Sequence, residues 1–179
     1  MRLGKLTNEQ LQKLVFSRLT SSREEVLVRP GVGEDCAVVD FADGVCVAST
    51  DPITAASAGI GALCVHVSCN DVASGGAEPV AMLVTLLIPP HCAEEDVARV
   101  VDEIASAAES LHVDVAGGHT EVTDAVNRIV VSAVVLGKAR KGSVITSAGA
   151  KPGDALVLTR YAATEGTAVI AHDYEDRLK

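Results

Sequence analysis

Four acidic clusters at strand ends or glycine turns of this chain could do chemistry. They are Glu34-Asp35 in "PGVGEDCAVV", Asp51 in "STDPIT", Asp71 in "CNDVASGGAEP" and Glu121 in "GGHTE". Carboxylates in loops beside strands suit Mg²⁺, a hard ion held by one or two carboxylates together with phosphate oxygens. Taken singly, each acid is also what an ordinary solvated turn contains. Asn70-Asp71 is more informative, because it falls inside an otherwise apolar stretch where a carboxylate needs a partner. A capping or packing hydrogen bond would satisfy it as well as a ligand would.

Several chemistries find no support. There is no G-x-x-x-x-G-K-[ST] phosphate loop, and "GVGEDC" lacks the third glycine and the preceding strand of a dinucleotide fingerprint. His66 reads as a core histidine, and His91, His112 and His172 as loop or surface residues, with no zinc spacing. Ser49, Ser68 and Ser74 have no nucleophile-elbow context. Cys36, Cys46, Cys64, Cys69 and Cys92 form no CxxC pair and read as small buried hydrophobes in a reducing compartment.

The elements that must position these residues follow from periodicity. "LTNEQLQKLVFSRL", opening at Thr7 or Asn8, has helical spacing. "CAVVDF" and "GVCVAST" read as two strands joined by "ADG", with Asp51 just past the second. "AGIGALCVHVSCNDVASGGAEP" reads as a buried helix ending at Gly75-Gly76. "VAMLVTLLIPP" is a strand closed by two prolines. "AEEDVARVVDEIASAAESL" is an amphipathic helix with acids in its first turn and Val97, Val100, Val101, Ile104 and Leu111 on its buried face. "HVDVAGGHTE" reads as a strand followed by a glycine turn, and "NRIVVSAVVLGKA" as another strand. Residues 1–140 form one domain on this reading. Residues 141–153 are a Gly/Ser/Lys/Pro linker, and 154–179, a strand "ALVLT" and a helix, begin a second domain that they cannot complete alone. The chain is therefore expected to be a piece of something longer.

With 179 residues, 48% of them apolar, the chain can build a core without disulfide or metal staples. A formal charge of −9 and scarce aromatics argue against a nucleic-acid partner. Neither a signal peptide nor a membrane-length apolar run is present, so a soluble, cytoplasmic protein with no membrane partner is expected. A divalent cation could still bring an anionic nucleotide to an acidic surface.

The order "GVGEDCAVV", "ASTDPIT", "IGALCVHVSCNDVASGGAEPVAM", "GGHTEVTDAVNRIVVSAVVLGKA" resembles the AIR synthase-related superfamily, over about residues 25 to 140. That superfamily includes AIR synthase, the hydrogenase maturation protein HypE, thiamine-monophosphate kinase and selenophosphate synthetase. The most specific motif is "ND-x-A-x-x-G-A-x-P" from Asn70 to Pro79. "GAKPGDALVLTRYAATEGTAVIA" resembles the start of the family's α/β C-terminal domain. The resemblance implies an α+β fold, a PurM N-terminal-domain-like mixed sheet covered by helices. The sheet would pair with that of a second subunit into a β-barrel, with ATP and Mg²⁺ at the homodimer interface. It carries Asp35, Asp51 and Asp71, with Glu34 and Glu121 beside them, over as metal ligands. Gly33, Asn70, Gly117, Gly118, His119 and Thr120 would lie against the nucleotide.

Two positions depart from the pattern. His119 stands where thiamine-monophosphate kinases and HypE have Asp, as in selenophosphate synthetases, and Glu121 could take over the metal contact. Glu34 replaces the first Asp of a pair. "STDPIT", "VHVSCND" and "GGHTEVT" look closest to HypE-like proteins, which implies a small-molecule or carbamoyl-type substrate activated by phosphoryl transfer. HypE itself acts on a C-terminal cysteine of its own, and "DRLK" has none. Thiamine-monophosphate kinase chemistry and a non-catalytic, nucleotide-binding dimerisation module are the alternatives.

Overall fold

The computed structural model describes residues 7–9, 12, 24, 26–28, 31–34, 36–54, 59–158 and 161–178. The expected N-terminal helix lies almost wholly outside these residues, as does Asp35. Among the described residues, six strands form one sheet in the order β1-β2-β3-β6-β4-β5. The strands are β1 (Val26–Val28), β2 (Ala37–Asp40), β3 (Val45–Ile53), β4 (Glu78–Ile88), β5 (Asp114–Val122) and β6 (Val130–Ala139). Only β4 and β5 run parallel; the other pairs are antiparallel, so the sheet is mixed and the architecture α+β. The short β1 was not expected from the sequence. It pairs with β2 at the sheet's edge.

Two helices, α1 (Ile60–Ser74) and α2 (Glu94–Ser110), cover one face. Period-two alternation decides which strand residues meet them. Val45, Val47, Ser49 and Ile53 of β3, Met82, Val84 and Leu86 of β4, and Val131, Ala133 and Val135 of β6 are all buried beneath them. Ile60, Cys64, Val65, Cys69 and Val72 of α1 supply the facing layer. Each buried Val, Leu, Ile or Met among them contributes about 1.5–3 kcal/mol. On α2 the buried positions are Val100, Ile104, Ala107 and Ala108, while Val101 and Leu111, expected inside, stay 44% and 40% exposed. The two helices approach closely at Val100 and Ile104. At Gly61 a Cβ would come within 2.4 Å of the Val100 carbonyl oxygen. The same closeness lets Glu103 accept a 3.0 Å bond from the Gly61 N–H. One of the orphan donors of the first turn of α1 is thus capped from the neighbouring helix.

Three expectations change. Asp51 lies inside β3, paired with Ala133, rather than past its end. The strand continues because β6 offers it partners as far as Ile53. Gly117 and Gly118 form no turn but sit in mid-strand in β5, where φ is +153° and +145°. A Cβ on Gly118 would stand 1.8 Å from the Val84 carbonyl oxygen, so only glycine lets β5 approach β4 there. The third change concerns "ALVLT": residues 154–158 belong to no strand, and Leu156 and Val157 are fully or nearly fully exposed. Beyond them the expected helix forms as two, α3 (Thr164–Asp173) and α4 (Glu175–Leu178), parted at Tyr174, and α3 begins earlier than expected, within "RYAATEGT". The stretch before them is tied to the sheet's own side. Lys141 pairs with Asp40 at 2.7 Å, the Ile145 N–H donates to the Gly75 carbonyl at 2.9 Å, and Ser147 donates to Glu34 at 2.6 Å.

Gly118→Ala is expected to cost more than about 3 kcal/mol in urea unfolding, since the backbone oxygen it meets cannot step aside. Gly149→Ala, where nothing lies within 4 Å of the new Cβ, should stay within about 0.5 kcal/mol of the parent chain.

Candidate functional site

The candidate residues gather where the C-terminal half of α1 crosses β3. Asp71, half-buried on α1, accepts a 3.1 Å hydrogen bond from Ser49 Oγ of β3. Its own backbone carbonyl accepts from Cys36 Sγ at 3.3 Å, Ser74 Oγ at 2.8 Å and the Gly75 N–H at 3.1 Å. The Cys36 contact brings the chain just after the glycine loop against the end of α1. Asp51 alternates with Ser49 and so shares the helix-facing side of β3.

That placement shows in a neighbouring thiol. Burial pushes Cys64 up to about 11, against hydrogen bonding from Ser68, and the charge of Asp51 pushes it further in the same direction. Asp51, Cys64, Ser68, Ser49 and Asp71 thus form a polar seam between sheet and helix. Ser68 Oγ is fully buried and finds no nitrogen or oxygen partner among the described residues.

The other sequence candidates are distributed unevenly. Glu34 sits in the loop whose ends bridge, Gly31 to Glu34, and accepts from Ser147. Gly33, at φ +85°, is beside it. Asn70 is exposed on α1 next to Asp71, and His66, expected in the core, is exposed as well. Burial of α1 falls on Cys64, Val65, Ser68 and Cys69, which turns His66 outward.

His119, Thr120 and Glu121 are on β5, exposed along its whole length. The register runs Asp51 to Ala133, Ala133 to Val84, and Val84 to Gly118. Three strand spacings, roughly 14 Å, therefore separate Asp51 from the glycine pair. His119 and Glu121, 3.4 Å apart, pair with Thr85 and Leu87, in the row that faces away from the helices. Within one chain they stand on the opposite side of the sheet from Asp51 and Asp71.

Among the described residues no three His, Cys, Asp or Glu side chains converge as a closed metal cage. The donors that do gather are hard carboxylate oxygens, one of them oriented by a hydroxyl. That set fits Mg²⁺, which takes few protein ligands and completes its shell with water and phosphate. Ser49 was passed over in the sequence because no nucleophile motif surrounds it. The available signal was parity: in "VCVASTD" every second residue points inward, which places Ser49 and Asp51 on the same face as Val45 and Val47.

Raised thiol ionisation has a measurable sign. The folded chain holds the Cys64 proton to about 11, whereas an unperturbed thiol releases it at 9.0. Stability is therefore undiminished below pH 9.0 and falls as pH rises from there through about 11. Iodoacetamide at pH 8 should label the half-buried Cys92 in the native chain and reach Cys64 only after denaturation, read by peptide mass mapping.

Residues 33–139 match the family model described as AIR synthase related protein, N-terminal domain. A putative hydrogenase expression/formation protein of Methanocaldococcus jannaschii is 28% identical over 98% of this chain and 55% of its own length. A thiamine-monophosphate kinase of Rhodopirellula baltica is 31% identical over 77% of this chain and 48% of its own length. The chain thus spans about half the length of these curated relatives. The solved structure of AaThiL complexed with AMPPCP and TMP shares the fold, with a TM-score of 0.67 at 19% identity, covering 99% of this chain and 65% of that one.

Proposed function

Because this chain belongs to the AIR synthase-related family through residues 33–139, we propose that it is the nucleotide-binding part of an ATP- and Mg²⁺-dependent enzyme of the hydrogenase expression/formation type. The observation that carries the proposal is the seam between β3 and α1. There Asp71 is held by Ser49, Asp51 shares its face, and the glycine loop is tied to the same helix end through Cys36. In this reading Asp51 and Asp71 hold Mg²⁺ together with Glu34 of the adjoining loop and Asp35, its neighbour in sequence. The metal would neutralise phosphate charge during in-line transfer. Asn70, beside Asp71 and exposed, and Gly33 would face the nucleotide. The activated group would be a carbonyl or amide oxygen of a small or carbamoyl-type substrate. Thiamine-monophosphate kinase chemistry is the second reading, favoured by the relative that is 31% identical.

The opposite face of the sheet supports a homodimer. Among the described residues no helix covers it, and it presents Ala48, Leu83, Leu87, Val134 and Leu136. An apolar sheet face of this kind needs a second layer, and a second copy's sheet supplies one. His119 and Glu121 stand on that side, so in this reading they act at the subunit interface, apart from the chain's own Asp51–Asp71 seam. Two tests follow. Calorimetric titration should give Mg²⁺-dependent ATP binding, weakened at least about tenfold, or roughly 1.4 kcal/mol, in Asp51→Ala and Asp71→Ala. Wild-type levels of binding in both variants, or no Mg²⁺-dependent binding in the parent, would rule the metal reading out. Leu83→Asp, at a site already 43% exposed, should leave folding intact and yield monomers in sedimentation; dimers unchanged by it would remove the sheet face as the interface.

A further inference from the structure

Ser49 is a buried hydroxyl in the wrong company for a structural residue. It is 5% exposed, on the helix-facing side of β3 between Val47 and Asp51 and beneath an apolar helix. A valine there would continue the pattern of Val45 and Val47 and would add apolar burial. A buried hydroxyl costs stability unless a partner offsets it. Its partner is Asp71 Oδ2, 22 residues away in sequence, across the contact between strand and helix.

The rest of Asp71 is already fixed. Three donors, from Cys36, Ser74 and Gly75, converge on its carbonyl oxygen and hold the backbone of the last helical turn in place. Those bonds hold the backbone and leave the side-chain torsion free of them, whereas the Ser49 hydroxyl engages the carboxylate itself, at Oδ2. At 3.1 Å the bond is longer than the strongest hydroxyl–carboxylate contacts, so its value lies in direction more than in strength.

Resting on the metal reading above, we propose that Ser49 is a positioning residue. Its hydroxyl sets the Asp71 carboxylate in the orientation that receives Mg²⁺. Such outer partners of a metal-binding carboxylate typically change affinity by about 10–100-fold when removed.

Ser49→Ala, Ser49→Val and Ser49→Thr in the full chain test this. The measurements are the Mg²⁺ concentration giving half-maximal ATP binding by calorimetry, and the melting temperature without metal. Ala and Val should each raise the Mg²⁺ requirement about tenfold at temperatures where all variants are folded, and Thr, which restores the hydroxyl, should return it to within about twofold of the parent. Val and Thr have nearly the same shape, so the contrast between them isolates the hydroxyl even if Ala loosens the fold. Equal requirements for Val and Thr, or a parent-like requirement for Ala, would overturn the positioning role. In those cases loss of binding in Asp71→Ala would leave the metal reading standing. Absence of Mg²⁺-dependent binding in the parent chain would overturn both.

Discussion

The contact of α1 with β3 and β6 is the constraint on which the rest of this structure depends. It buries Cys64, Val65, Cys69 and Val72 against Val47, Val131, Ala133 and Val135, and no other helix among the described residues covers the centre of the sheet so fully. Close approach is what makes that burial effective. Gly137 leaves the room that Val72 fills, and Gly61 lets α2 lie against the start of α1. Because the helix is so tightly seated, the few polar groups along it cannot drift. Ser68, Asp71 and Ser74 are held at fixed heights above the strands.

A sheet with one face under helices divides its residues into two chemical environments, and the division is strict because neighbouring side chains alternate. On the covered side, carboxylates sit among apolar residues and need hydroxyls, thiols or a cation as company. On the open side β5 carries His119 and Glu121 in solvent-accessible positions. The two acidic groupings thus belong to different surfaces. The mid-strand glycines separate them: Gly118 lets β5 close on β4 and, without a side chain, adds nothing to the covered face.

Much of the architecture was legible in the residues. The α1 and α2 segments, the strands from β2 through β4 and β6, and the helical tail follow from periodicity and from the glycines and prolines that end each run. The family resemblance, carried by the motif from Asn70 to Pro79, agrees with the family match over residues 33–139. Local pattern failed where a neighbour decided the outcome. β6 extends β3 through Asp51 and β4 recruits the glycine pair into β5, while "ALVLT" has no strand beside it among the described residues and so forms no ladder.

The site divides in the same way. Its acids and glycines, and the chemistry of a hard cation with phosphate, could be read from residue type and spacing alone. For Ser49 parity gave the face and nothing more, because its partner Asp71 lies 22 residues away in sequence. Only the packed fold, which sets Ser49 Oγ 3.1 Å from Asp71 and turns His119 and Glu121 to the other face, decides which of these groups share a site. The sequence by itself determined the elements and the inventory of donors, since both depend on interactions within a few residues of the chain. The tertiary structure alone decided the grouping, since it depends on strand order, register and face, which arise from contacts between distant segments.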